Sequence, residues 1–191
     1  LRRVRVELQA DGDEVHPPPV VRPGRAHPAV RLVVVGVLQH DPAAAQPLLE
    51  TALEMGQRFY TRYVPELELE LALLSLDEGD ETATGRWLDR VHEQAEPRGM
   101  AHVLAIAERL QAQLSARRGD WLTAQVAFAA SLRRCEELDQ VVEAARTRLA
   151  WGQALVPHDA ARARSLLKTG LNVFENALAA PEVAQVRCLL N

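Results

Sequence analysis

The sequence predicts an all-α protein, an array of antiparallel helix pairs, and two observations carry that prediction. The first is a repeat. Asp41, Asp80, Asp120 and Asp159 each open an apolar stretch, at spacings of 39, 40 and 39 residues. Four residues on stand Ala45, Thr84, Ala124 and Ala163, and eight on stand Leu49, Leu88, Phe128 and Leu167. Twelve on stand Leu53, His92, Leu132 and Leu171. Small, large apolar and apolar at those steps form one stripe of an α-helix, which turns once in about 3.6 residues. The aspartate ahead of the stripe suits an N-cap, because its carboxylate accepts from the first amide protons, which no helix carbonyl reaches. The second observation is composition. The 191 residues are 48% hydrophobic but only 4% aromatic, so the apolar content is mainly Ala, Leu and Val, and Ala and Leu favour helix. One capped helix copied four times at a fixed period implies about four repeats and an extended surface in place of a single reactive pocket.

Residues 1–28 stand apart from the repeat. Val4, Val6 and Leu8 alternate with polar residues before an Asp11-Gly12-Asp13 turn, which suits a short strand or hairpin. His16 to Pro28 (HPPPVVRPGRAHP) is too rich in proline for a helix and tends to polyproline II. It reads as an irregular linker or the cut edge of a preceding region. A docking ligand for a proline-binding module, or a stretch that is not native-like coding sequence, are the other readings.

Residues 29–191 are expected to form the repeat domain. Ala29 to Gln39 is β-branched and would suit a strand on propensity, but its place one step before Asp41 predicts a first helix. The Asp41 helix should run to about Phe59. Pro42 fits its first position, where no N–H is needed, whereas Pro47 falls inside and should kink the helix or delay its start. Arg62 to Leu76 and Asp80 to Glu96 follow, parted by Glu78-Gly79. Pro97 and Gly99 break the chain, and Met100 to Arg117 makes the next helix, ended by Gly119. Asp120 to Leu138, Gln140 to Val156 and Asp159 to Leu178 complete the pairs, with Pro157 and Pro181 as stops. Glu182 to Asn191 opens one more helix.

Gly79-Asp80 and Gly119-Asp120, each followed by the small and large apolar residues counted above, resemble the tetratricopeptide family, in which such a turn precedes the second helix of each pair. Leu149, Gly152 and Leu155, and more faintly Leu69, Ala72 and Leu76, are similar to that family's first-helix signature. His40 and His158 stand where the glycine would be before Asp41 and Asp159. The period here exceeds the family's usual repeat of about 34 residues. Helices about a turn longer resemble the elongated arrays of large bacterial signalling ATPases and LuxR-type activators. GDWLTAQVAFAASLRRCEELDQVVEAARTRLAWGQAL and ARSLLKTGLNVFENALAAPEVAQVRCLL carry that likeness best. It covers residues 41 to 191 and implies a right-handed superhelical solenoid whose first helices line a concave face.

Most reactive chemistry is argued against. The formal net charge of −4 leaves no basic excess for phosphates, so nucleic acid is not an expected direct partner. No apolar run approaches the roughly 20 residues that span a bilayer. His40-Asp41 and His158-Asp159 sit on separate turns and cannot fill a tetrahedral metal shell, so they read as loop residues with a capping aspartate. His92 and His102 flank the Pro97-Gly99 break, and His92 occupies a stripe position, which suits a partly buried, hydrogen-bonded imidazole. Glu66, Glu68 and Glu70 alternate with leucines, but Leu67, Leu71 and Leu74 fit a helical face. Carboxylates so spaced on a helix do not converge for acid–base work. There is no phosphate loop, no nucleophile elbow and no Cys/His cluster. Trp87, Trp121 and Trp151 read as helix–helix packing. Cys135 and Cys188 read as buried free thiols of a reducing cytoplasm. Lys168 is the only lysine among 22 basic residues, a bias that fits GC-rich coding sequence.

The expected function is therefore protein–protein interaction, as scaffold or sensor, with no catalysis and no cofactor or metal. The partner is a protein or peptide on the concave face, and Arg109, Gln113, Arg146 and Gln153 on the first helices are the candidate contacts. The alternative is a structural spacer or self-association segment without a specific groove. Because it starts at Leu1 without Met and without a signal-like apolar stretch, the chain is expected to be an excerpt of a longer protein, and the resemblance implies a bacterial regulatory or signalling protein with neighbouring domains.

Overall fold

The computed structural model describes residues 42–59 and 61–190. The irregular region 1–28, the helix expected over 29–39 and the Asp41 cap lie outside them. Among the described residues there are eight α-helices and no strand. They are α1 (Pro42–Phe59), α2 (Val64–Glu78), α3 (Glu81–Ala95), α4 (Ala101–Arg117), α5 (Trp121–Glu137), α6 (Val141–Leu155), α7 (Ala160–Asn176) and α8 (Ala180–Leu190), with a 3-10 turn at Thr61–Tyr63. Each packs against its sequence neighbour across a short turn that reverses the chain.

The caps fall where the repeat places them. The carboxylates of Asp80, Asp120 and Asp159 accept from the amides of Ala83 (2.8 Å), Thr123 (3.2 Å) and Arg162 (2.9 Å). Each aspartate is thus a cap rather than the first helical residue. The helix ends share one motif as well. Asp80, Met100, Asp120, Gln140 and Ala179 donate their amides to the carbonyls of Ser75, Ala95, Ser115, Cys135 and Phe174, each five residues back. That bond requires a left-handed residue just before the donor. Gly79, Gly99 and Gly119 supply it at three turns, while Asp139 (φ 53°) and Leu178 (φ 54°) adopt it without being glycine. The motif ends the helices at Ala95, Glu137 and Asn176, short of the expected Glu96, Leu138 and Leu178. The expected start at Arg62 is also corrected: the 3-10 turn comes first, and Pro65 sits in the opening turn of α2. Pro47 does not delay α1, which begins at Pro42. Pro181 is not a stop beyond a helix end but the second residue of α8, where its missing N–H costs nothing.

Packing bears out two of the three stripe positions. All residues four and eight after the aspartates are buried, with Leu49, Leu88 and Phe128 fully so. The twelfth position needs correction. Leu53 is buried there, but His92, Leu132 and Leu171 are half-exposed, and the inward residues are Val91, Ser131 and Gly170, one position earlier. At about 100° per residue, positions 4, 8, 11 and 15 fall within about 60° of one another, and position 12 lies about 40° beyond their edge. Position 15 accordingly holds the buried Ala95, Cys135 and Phe174.

Buried residues gather in successive clusters that each join neighbouring helices only. Leu76, Leu88, Val91, Leu110 and Leu114 join α2, α3 and α4, Phe128 and Trp151 anchor the next cluster, and Leu149, Leu167, Phe174 and Val186 close the C-terminal one. Such nearest-neighbour cores are how a linear array stays folded. Helix α2 is buried nearly all round, which is why leucines occupy every side of it. Its fully buried Glu68 accepts from Arg90 Nε (2.9 Å) and Gln94 Nε2 (2.7 Å) of α3.

Two exposed ion pairs recur one repeat apart. Arg148 of α6 donates to Glu136 of α5 (2.5 Å), and Arg187 of α8 donates to Glu175 of α7 (2.7 Å). Each ties a first helix to the second helix of the preceding pair. Gly152 of α6 leaves little space for a side chain on its close approach to α7, since an added Cβ would lie 2.8 Å from Leu167 Cγ. Gly152→Leu is expected to force α6 from α7 and cost about 1–3 kcal/mol by overpacking. A urea midpoint equal to wild type would contradict that approach.

Candidate interaction groove

Successive first helices touch one another, α2 with α4 and α4 with α6, so they form one continuous row. Arg109 and Gln113 lie on one face of α4, and Arg146 and Gln153 on one face of α6, because four and seven residues both complete whole turns. The structure divides the four into two groups.

Arg109 and Arg146 meet at Glu143. Arg109 Nη1 lies 2.7 Å from Glu143 Oε2, and Arg146 Nη1 lies 2.6 Å from Glu143 Oε1. Arg146 Nη2 reaches on to Glu182 Oε1 of α8 (2.9 Å). The Arg109 and Glu143 side chains are only 11% and 20% exposed, so this pair is mostly desolvated, whereas Arg146 keeps 44%. Burial pushes the Glu143 carboxyl up, but the two arginines outweigh it and hold it below the usual carboxylate range. On α2, Glu70 has the opposite balance. Burial raises its carboxyl and the nearby Glu143 raises it further, against Arg109 and Arg146. The row from Glu70 to Glu182 is thus a chain of alternating charge laid across four first helices.

Gln113 and Gln153 form the second group. They stand 40 residues apart in sequence, one repeat, and line a single open cleft of about 340 Å3 between α4 and α6. Trp121, Pro157 and His158 border the same cleft. Sequence reasoning took His158 for a plain turn residue. Its ring in fact stacks on Trp121, with centroids 4.5 Å apart and 28° between planes. Spacing does not reveal that contact, because the two rings come from different turns. Asp159 beside it is the cap expected.

Trp151 is buried and lies nearly parallel to Phe128 at 5.6 Å, while Trp87 and Trp121 are half-buried against the core. His92 faces Glu96 at 3.5 Å, and His102 faces Glu66 at 3.8 Å. Cys135 is buried, as expected. Cys188 is exposed, which corrects the expectation for it: α8 turns Val186 inward, and a residue two further on points about 200° away. Among the described residues no group of three His, Cys, Asp or Glu is placed to hold a metal. No helix among them is long and apolar enough to cross a membrane. No family model matches the chain, and no curated protein matches it.

Proposed function

We propose that this chain is a protein-interaction module, a right-handed tetratricopeptide-like solenoid whose first helices α2, α4, α6 and α8 line a concave face. A partner protein or peptide lies along that face and is held by several repeats at once. The observation that supports this most is the groove between α4 and α6, where Arg146 is half-exposed and Gln113 and Gln153 share one cleft. The module serves as a scaffold or sensor in a larger bacterial regulatory or signalling protein of the cytoplasm, and it does no catalysis of its own.

The test is capture of a partner from lysate, and of the parent protein's other domains, by the immobilised chain. Arg146→Glu places a third carboxylate beside Glu143 and Glu182, and it is expected to weaken capture at least about tenfold, since like charges at an interface cost several kcal/mol. Capture that survives the substitution unchanged would move the partner off this face. One observation favours the spacer reading instead. Arg109 and Arg146 are already neutralised by Glu143 and Glu182 within the array. Absence of any specific capture would decide for that reading.

A further inference from the structure

The two ends of the row of helices carry faces of opposite kind. Among the described residues α3, α5 and α7 each pack between two first helices, whereas α1 packs on α2. Helix α1 accordingly leaves Leu48 45% and Met55 55% exposed. Their counterparts three repeats on, Leu166 and Val173 of α7, are partly buried. At the other end α8 leaves Ala184 and Cys188 exposed, while their counterparts in α6, Ala145 and Leu149, are buried.

The joint between α6 and α7 shows what such faces make when they meet. Gly170 of α7 comes down between Ala145 and Arg148 of α6, where an added Cβ would lie 3.3 Å from the Ala145 carbonyl and 4.0 Å from Arg148 Cβ. Leu167 and Phe174 complete that contact in one cluster with Ala145 and Leu149. Helix α1 repeats the residues of α7. Its Ala45, Leu48, Leu49, Thr51 and Leu53 recur there as Ala163, Leu166, Leu167, Thr169 and Leu171. Both threonine hydroxyls donate to the carbonyl four residues back, at 2.8 and 3.0 Å. Helix α8 repeats α6 in the same way, with Glu182, Ala184 and Arg187 in the places of Glu143, Ala145 and Arg148. Ala184 and Arg187, the counterparts of the two residues that receive Gly170, line an open cleft of about 640 Å3 with Leu178 and Val183.

We infer that α8 of one chain receives α1 of a second copy, which rebuilds the α6–α7 joint between molecules. Ala52 takes the place of Gly170, and its extra methyl sets the two helices a few tenths of an ångström further apart. A second copy is the occupant because the contact continues one that the array already makes, and the same chain supplies both halves. The two faces lie at opposite ends of the row, so the contact is head to tail and leaves a fresh face at each end. One helix against one helix is a small interface, so the assembly is weak and grows with concentration. It stands whether or not the concave face takes a partner.

The experiment follows the weight-average mass of the full chain by light scattering over a concentration series. Reducing buffer keeps the exposed Cys188 from cross-linking. The mass of wild type is expected to rise past two chains without a plateau. Met55→Glu on α1 and Ala184→Glu on α8 each put an unpaired carboxylate into the joint, which is costly to bury. Each variant alone is expected to stay single at about ten times the concentration that pairs wild type. Mixed one to one, the variants keep one sound face apiece and are expected to stop at two chains. Both positions are exposed, and circular dichroism checks the fold; a variant that loses it is replaced by Leu48→Glu or Cys188→Glu. A wild type that stays single overturns the inference, as it would if residues 29–39 covered α1. A plateau at two chains, association that either variant leaves intact, or a mixture that stays single overturns it as well.

Discussion

Phe128→Ala is expected to cost about 3–5 kcal/mol of stability, the usual range for removing a fully buried aromatic ring. Phe128 is 0% exposed and its ring lies against Trp151, between the small residues Ala112, Ala124, Ala150 and Ala163. Those methyl groups cannot reach across the void, so the cavity term adds to the lost transfer term. A chain of this size should melt about 6–20 °C lower in far-UV circular dichroism. A melting point within error of wild type would mean that α5 does not turn this face inward, and the repeat register of every other helix would have to be redrawn.

Arg109→Leu should cost about 2–3 kcal/mol at neutral pH, less than the 3–5 of a fully buried pair because Glu143 keeps Arg146. The pH dependence is the sharper signature. Glu143 has a folded pKa below its unfolded one, so its pairing stabilises the fold above the unfolded value and is lost as pH falls through the folded value. The gap between wild type and variant should therefore be full near neutrality and shrink through the acid range below about 4.5. Urea unfolding of both proteins over that range measures it. A gap that holds constant into acid would show that Arg109 contributes through packing and not through its charge.

How much of this was legible beforehand depends on the range of the physics involved. The caps at Asp80, Asp120 and Asp159 and the buried residues four and eight positions later could be read because one helix's own geometry dictates them. Ser131 could not. A hydroxyl at position 11 looks like surface, yet it is fully buried because it donates to the Ala105 carbonyl of α4 and meets the Thr147 hydroxyl of α6 at 3.0 Å. Glu68 is the same case, a carboxylate made tolerable inside the fold by Arg90 and Gln94 more than twenty residues away. The groove was half legible. That Arg109 and Gln113 sit on one first helix and Arg146 and Gln153 on the next could be read from the repeat, but Glu143, which binds both arginines, and the Trp121–His158 stack arise only when separate elements meet.

The recurring ties from Arg148 to Glu136 and from Arg187 to Glu175 bear on how such a chain can change its length. Both link residues twelve apart, across a turn of the same design, and they lie 39 positions from each other. As exposed pairs they add little stability, but they act as a key between one unit and the next. Adding or losing a single residue in the intervening turn would rotate the arginine about 100° off its glutamate. Adding or losing a whole unit would return every key to its lock. Duplication and excision by full repeats are thus the edits this architecture absorbs, and the reach of its surface can be tuned in steps without redrawing any joint.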